Sequence, residues 1–219
     1  MRLRIVLLVT ILCSLVAASD GLAQSASDSP FQVRYFANLQ QGESYINISN
    51  TGANGAPLLG PGFGSDKNAG NMCVNVYAFS PDEQLVSCCS CLVTPNAVVN
   101  LGVNRDLTSK TLTGVIPNSV VVKLLATRAA SGDTTSTTCQ NSAANANLTI
   151  VPGLVAWGTT LHASPAGGYA VTETAFTPGT LSAGELASIQ GRCASIIGNG
   201  SGYGICASCR LGALGATKK

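Results

Sequence analysis

Residues 72–91, MCVNVYAFSPDEQLVSCCSC, decide the fold. Two segments rich in β-branched and aromatic residues, 74–79 and 84–88, flank a short polar segment at 80–83. Proline and aspartate occupy the central positions of this polar segment, as they do in tight turns. The pattern therefore predicts a β-hairpin whose second strand leads directly into a cluster of cysteines.

The predicted hairpin brings a further cysteine close to that cluster. In the shortest register, Cys73 lies opposite the segment between Cys89 and Cys91. A small twist or bulge brings either cysteine within the roughly 5.5 to 6 Å Cα separation that a disulfide prefers. We therefore expect Cys73 to pair with Cys89 or Cys91. The remaining cysteines of residues 88–91 should then reach across to the rest of the fold, with Cys139 as one partner.

Short segments of the same composition recur along the chain, separated by clusters of Gly, Pro, Asn and Asp. They are 31–36, 44–49, 97–103, 119–126, 154–162 and 169–174. Parallel sheets need helical crossovers, whereas only one good helix is predicted here. The sequence thus predicts a mainly β fold, an antiparallel β-sandwich or barrel-like domain, with one C-terminal α-helix packed on it.

The C-terminal helix has the best-defined start in the chain. Residues 182–185, SAGE, form a capping box, and Leu181 and Leu186 occupy the two positions of a hydrophobic staple. Apolar residues then recur at helical spacing, so that one stripe packs on the sheet and carries Cys193 inward. Gly, Asn and Gly at 198–200 end the helix.

Residues 1–23 have the three parts of a secretory signal peptide. A positively charged start precedes the apolar run 5–18, and small residues at 21–23 form a cleavage site. The apolar run is shorter than the roughly 20 residues that span a bilayer as a helix. We expect a secreted or periplasmic mature chain, 24–219, that forms a single disulfide-bearing β domain with a cysteine-containing tail and no transmembrane segment.

The charge balance excludes one class of partner. The full chain has 12 basic and 10 acidic residues, which gives a net charge of +2. Removal of residues 1–23 takes away two arginines and one aspartate, so ten basic and nine acidic residues remain and the mature net charge is +1. Such a balance produces no field that attracts nucleic acid or anionic lipid, and the basic residues are scattered. Nucleic-acid binding is therefore not predicted.

The mature chain keeps eight of the nine cysteines, an even number that suits disulfides. They are Cys73, Cys88, Cys89, Cys91, Cys139, Cys193, Cys206 and Cys209. Paired thiols persist as disulfides in an oxidising compartment. At the C-terminal end, Cys193 is expected to form a staple with Cys206 or Cys209 that folds the tail onto the helix. The third of these cysteines must then bond elsewhere in the chain or bind something.

Two alternative uses of the cysteines compete with disulfides. Soft metals are held by three or four sulfurs, which makes five cysteines candidate ligands for zinc or an iron–sulfur cluster. These are Cys88, Cys89, Cys91, Cys206 and Cys209. Neighbouring cysteines rarely ligate one ion, which argues against this site, and we predict no cofactor. The C-x-x-C spacing at 206–209 also occurs in redox pairs, but here it follows a helix instead of opening one.

Candidate catalytic and binding residues are scarce. His162 is the single histidine, and a surface or hydrogen-bonded role is expected for it. A hydrolase that uses His162 is the third functional hypothesis, although no Gly-x-Ser-x-Gly elbow occurs. Trp157 is expected in the core, and the alternative is a carbohydrate platform formed with the tyrosines. Two long loops, 51–71 and 128–147, are either plain connections or binding segments.

Four short motifs support a resemblance to known sequences. CVNVY at 73–77, CCSC at 88–91, TPN at 94–96 and GYGICASCRLG at 202–212 resemble exported bacterial proteins without an assigned function. The resemblance extends over most of the mature chain and implies bacterial export, but no activity, fold or catalytic residue. The leading hypothesis is a structural or interaction module of the cell envelope without catalysis, whose partner is another envelope protein or a glycan.

Overall fold

The computed structural model describes residues 28–60, 63–129, 139 and 149–207. The predicted signal peptide, Cys209 and most of the loop 128–147 lie outside these residues. The described strands are β1 (Phe31–Phe36), β2 (Tyr45–Asn50), β3 (Met72–Phe79), β4 (Leu85–Val93), β5 (Val98–Gly102), β6 (Val120–Arg128), β7 (Leu154–Ala163), β8 (Tyr169–Ala175) and β9 (Thr177–Pro178). A 3-10 turn (Leu39–Gln41), a π-helical turn (Val103–Thr108) and the helix α1 (Ala183–Gly198) complete the secondary structure of the described residues.

The strands form two antiparallel sheets that pack face to face. The five-stranded sheet has the order β4-β3-β6-β1-β9, and the four-stranded sheet has the order β5-β2-β7-β8. This arrangement confirms the predicted mainly β fold and shows that it is a sandwich. All eight predicted strand segments are present, whereas the two-residue β9 was not predicted.

Alternation along the strands builds the core between the sheets. Ile46 and Ile48 of β2 have no exposed surface, and neither do Val74 and Val76 of β3. These side chains belong to one buried cluster that both sheets supply. Burial of each such side chain stabilises the fold by roughly 1.5 to 3 kcal/mol.

The helix α1 covers the outer face of the five-stranded sheet, as the sequence predicts. The Ser182 hydroxyl accepts a hydrogen bond from the backbone N–H of Glu185 at 3.1 Å, which caps the helix. The Glu185 carboxylate pairs with Lys123 of β6, so an ion pair also joins the start of α1 to the sheet. Further along α1, Ile189 and Cys193 are almost completely buried in a cluster with side chains of β3, β4 and β6.

The β3–β4 hairpin is present, but its register differs by two residues from the shortest one. Glu83 has a φ of 64°, and its left-handed conformation adds a residue to the turn. A second irregularity lies between Ala78 and Phe79 at the start of the ladder. In the β3–β4 ladder, Cys73 is therefore directly opposite Leu92 and not opposite Ser90.

Candidate functional site

Three disulfides join distant parts of the chain. They are Cys73–Cys139, Cys88–Cys193 and Cys89–Cys206, with Cα separations of 5.4, 5.8 and 5.5 Å. Cys91 is disulfide-bonded as well. The bonds confirm the prediction of a disulfide-bearing domain, and they indicate an oxidising compartment outside the cytoplasm.

The predicted pairing of Cys73 with Cys89 or Cys91 is wrong. Successive residues of a strand point to opposite faces of a sheet, and the ladder from β3 to β4 is unbroken around these cysteines. Cys89 and Cys91 point into the core between the sheets. Cys73 lies on the outer face, where it meets Cys139 in a separate small cluster.

The predicted staple between Cys193 and Cys206 or Cys209 is also wrong for the cysteines that the structure describes. Cys88 points to the outer face of β4 and bonds to Cys193 of α1, whereas Cys89 points inward and bonds to Cys206. The tail runs beside β4, and the Cys88 N–H donates to the Gly204 carbonyl at 2.9 Å. Strand β4 is therefore tied down on both faces.

These disulfides separate the candidate metal ligands. Cys88 and Cys89, which are neighbours in sequence, lie on opposite faces of the sheet and bond to different partners. Cys206 is in a disulfide, Cys91 is disulfide-bonded and Cys209 lies outside the described residues. Among the described residues, no group of three or more His, Cys, Asp and Glu side chains is placed to hold a metal ion.

His162 lies near the end of β7, and its side chain is exposed, in agreement with the predicted surface position. Its Nε2 atom is 2.8 Å from the Thr172 hydroxyl of β8. A threonine hydroxyl does not provide the negative charge with which a carboxylate orients and stabilises a catalytic imidazolium. This contact gives the hydrolase hypothesis no support.

A surface cleft near the π-helical turn brings several charged groups together. The Glu43 carboxylate accepts hydrogen bonds from the backbone N–H groups of Asn104 and Arg105, at 2.8 and 3.0 Å. Arg105 pairs with Asp106 at 2.8 Å, and hydrogen bonding to Asp106 raises the pKa of the Arg105 guanidinium. The Glu43 carboxylate and the Arg105–Asp106 ion pair hold the turn in place, which favours a structural role.

Trp157 lies outside the core, contrary to the prediction. It is directly opposite Asn47 in the ladder between β7 and β2. The neighbouring positions of that ladder, Ile48 with Ala156, are buried in the core. Trp157 and Asn47 therefore point away from the core on the outer face of the four-stranded sheet, and Trp157 is half-buried there.

Hydrogen-bonded polar side chains lie beside Trp157 on this outer face. The Asn100 amide of β5 donates to the Asn47 side-chain oxygen at 2.8 Å. The Asn47 amide in turn donates to the Glu173 carboxylate of β8 at 3.4 Å, passing over β7. Tyr45 is 39% exposed in the next row of β2. We call this set of five side chains the outer-face site: Tyr45, Asn47, Asn100, Trp157 and Glu173.

The two outer faces of the sandwich differ in what covers them. The helix α1 packs on the five-stranded sheet, whereas no element of the described residues packs on the outer-face site. All seven residues of β8 are exposed, including Tyr169 at 55% and Val171 at 61%. Val98 at the other edge of the same sheet is also 61% exposed. The four-stranded sheet therefore presents a broad accessible surface of mixed aromatic, aliphatic and amide groups.

Comparisons with known proteins give no guide to the role of this surface. No family model, no curated protein and no solved structure matches the chain. No helix within the described ranges is both long and apolar enough to cross a bilayer.

Proposed function

We propose that the mature chain is an exported, non-catalytic module of the bacterial cell envelope that binds a neutral glycan at the outer-face site. The observation that carries this proposal is the half-buried Trp157 beside the hydrogen-bonded side chains of Asn100, Asn47 and Glu173 on an uncovered sheet. The signal-peptide pattern and the three disulfides support export. The resemblance to exported bacterial proteins supports the envelope setting.

The chemistry of the outer-face site matches that of a sugar ring. A pyranose has an apolar C–H face that packs against an aromatic ring, and hydroxyl groups around its edge. Trp157 offers the aromatic surface, and the amides of Asn47 and Asn100 both donate and accept hydrogen bonds. Glu173 is the one charged group of the site, so a neutral ligand fits better than a strongly charged one.

The site is also held in position before any ligand binds. Tyr45 donates its backbone N–H to the Thr159 hydroxyl at 2.9 Å, which adds a cross-strand bond to the ladder. Asn47 is fixed between Asn100 and Glu173 by its own amide group. Side chains that are already ordered lose less conformational entropy on binding, which favours affinity for small polar ligands.

A glycan array probed with the secreted, oxidised chain tests the proposal. We expect binding to a subset of neutral glycans, and the substitution Trp157→Ala should weaken it by at least about tenfold, since aromatic anchors dominate such interfaces. Asn47→Ala should weaken binding less. Tyr203→Ala is the matched control, because Tyr203 is 52% exposed in the tail and outside the outer-face site.

Two outcomes would contradict the proposal. One is that no glycan binds, and the other is that Trp157→Ala binds like the unmodified protein while its circular dichroism spectrum is unchanged. Elemental analysis of protein purified without added metal distinguishes a cysteine-ligated metal protein from a disulfide-bonded binding module. A stoichiometric content of zinc or iron would favour that alternative over a disulfide-bonded binding module.

A further inference from the structure

The loop between β2 and β3 exposes three large apolar side chains near its tip. Leu58 is 89% exposed, Leu59 is 69% exposed and Phe63 is 67% exposed. Leu58 and Leu59 are adjacent in sequence. Leu59 also lies close to the residue that follows Phe63, because a Cβ added to Gly64 would be 3.7 Å from Leu59 Cδ1. We call these three side chains the apolar tip. Groups of exposed apolar side chains are uncommon on monomeric proteins and mark contact sites.

The base of this loop is fixed to the sandwich. The Asn50 amide at the end of β2 donates to the Gly70 carbonyl at 2.9 Å and to the Val93 carbonyl at 2.9 Å. Gly70 has a φ of 72°, and a Cβ there would lie 1.8 Å from the Gly55 carbonyl oxygen, so only glycine permits the two ends of the loop to meet so closely. Pro57, immediately before the tip, is buried. The apolar tip is thus presented on an anchored loop.

Three backbone N–H groups around the apolar tip donate hydrogen bonds within the loop. The Leu58 N–H donates to the Asp66 carboxylate at 2.9 Å. The Gly60 N–H donates to the Pro57 carbonyl at 3.3 Å, and the Phe63 N–H donates to the Gly60 carbonyl at 3.2 Å. A backbone that enters an apolar phase must satisfy its N–H groups internally, because each unpaired group is costly there.

The charge distribution favours an uncharged apolar partner. No charged residue occurs from position 51 to position 65. The adjacent Asp66 carboxylate accepts the Leu58 N–H, and the next residue, Lys67, has the opposite charge. Largely exposed side chains need no complementary pocket if the partner is a soft apolar layer. A protein partner would require such a pocket, whereas the interfacial region of a bilayer accepts apolar groups to a depth of about 5 to 10 Å.

We infer that the apolar tip inserts into the surface of a lipid bilayer and attaches the module peripherally to a membrane. The proposal is independent of glycan binding, because the apolar tip lies in the β2–β3 loop and not on the outer face of the four-stranded sheet. Insertion of this kind is driven by burial of apolar area. It therefore depends little on ionic strength or on the fraction of anionic lipid.

Flotation of the secreted, oxidised chain with phosphatidylcholine vesicles tests the inference. We expect the unmodified chain to float with the vesicles, and raising the NaCl concentration from about 0.1 to 0.5 M should leave the bound fraction unchanged, since no surface charge is involved. The triple variant Leu58→Ser, Leu59→Ser, Phe63→Ser should bind at least about tenfold more weakly.

A control variant tests whether vesicle binding depends on the apolar tip or on any exposed apolar side chains. Val115 and Ile116 are 66% and 62% exposed in the segment before β6. The β3–β6 ladder places the start of β6 beside the end of β3, so this segment lies at the opposite end of the sandwich from the apolar tip. Val115→Ser with Ile116→Ser should leave vesicle binding unchanged. Absent vesicle binding, salt-sensitive binding, or an equal loss in this control would overturn the inference.

A fluorescence measurement covers the case in which the triple variant fails to fold. In a Trp157→Phe background, Leu59→Trp places a single indole at the apolar tip. Its emission should shift to shorter wavelength on addition of phosphatidylcholine vesicles, because the indole leaves water. An unchanged spectrum with a folded protein would overturn the inference.

Discussion

One outer face of the sandwich is covered and cross-linked, whereas the other is exposed. On the five-stranded sheet, α1 buries Ile189 completely, and a disulfide fastens Cys193 of the helix to Cys88 of β4. On the four-stranded sheet, Trp157 is half-buried and Val171 is 61% exposed. Apolar burial and a cross-link thus stabilise one outer face of the molecule. The other side can then expose aromatic and amide side chains without loss of stability.

The largest expected effect comes from removing the disulfide between β4 and α1. This bond joins residues 105 positions apart, but the Cys89–Cys206 bond already links the neighbouring residue of β4 to the tail. In the unfolded chain the Cys88–Cys193 bond therefore closes an additional loop of about 15 residues. The double variant Cys88→Ala, Cys193→Ala should lose about 4 kcal/mol of unfolding free energy, about 3 kcal/mol because the unfolded chain gains freedom and the rest because two buried sulfur atoms are removed. Urea unfolding measures the loss. Under reducing conditions the two proteins should become similar in stability. An unchanged midpoint for the oxidised variant would show that the bond between β4 and α1 does not stabilise the covered face.

A pair of apolar truncations compares the two faces directly. Ile189→Ala removes a buried side chain beneath α1 and should cost about 3 kcal/mol. Val171→Ala on exposed β8 should cost less than about 0.5 kcal/mol. Chemical denaturation of both variants measures the difference. Equal losses would mean that the four-stranded face is covered in solution by something bound to it.

The smallest expected effect concerns a phenol under the helix. Tyr77 is fully buried, its hydroxyl has no hydrogen-bond partner among the described residues, and burial raises the pKa of the phenol above its usual value near 10. The folded state therefore keeps Tyr77 neutral where the unfolded state ionises. Stability should fall as the pH rises above about 10, by about 1 kcal/mol at pH 11.

The variant Tyr77→Phe has no phenol at this position, so its unfolding free energy should fall less between pH 8 and pH 11. Unfolding midpoints at pH 8 and pH 11 measure it for both proteins. Tyr35→Phe is the control, because Tyr35 is 59% exposed on β1 and its substitution should preserve the full loss. If Tyr77→Phe lost as much stability as the unmodified protein, the phenol under α1 would be accessible to water.

Local patterns predicted the strands and the helix because their causes are local. Period-two segments and the capping box at 182–185 depend on neighbouring residues only. The disulfide pairing depends on register, and the register depends on the left-handed Glu83 and on an irregularity at Phe79 that composition does not reveal. Trp157 was misplaced because its apolar neighbours suggested burial. The alternation of Ile46, Asn47 and Ile48 on the adjacent strand was the signal for an outward-facing row.

The adjacent cysteines of β4 have a further consequence for folding. A slip of β4 by one residue would turn Cys88 toward the core and Cys89 toward the helix. Cys193 lies on the helix side of the sheet and Cys206 lies in the core between the sheets, so neither could then reach its native partner. Only the correctly aligned strand lets the two native bonds close together, and once closed they hold β4 in that register.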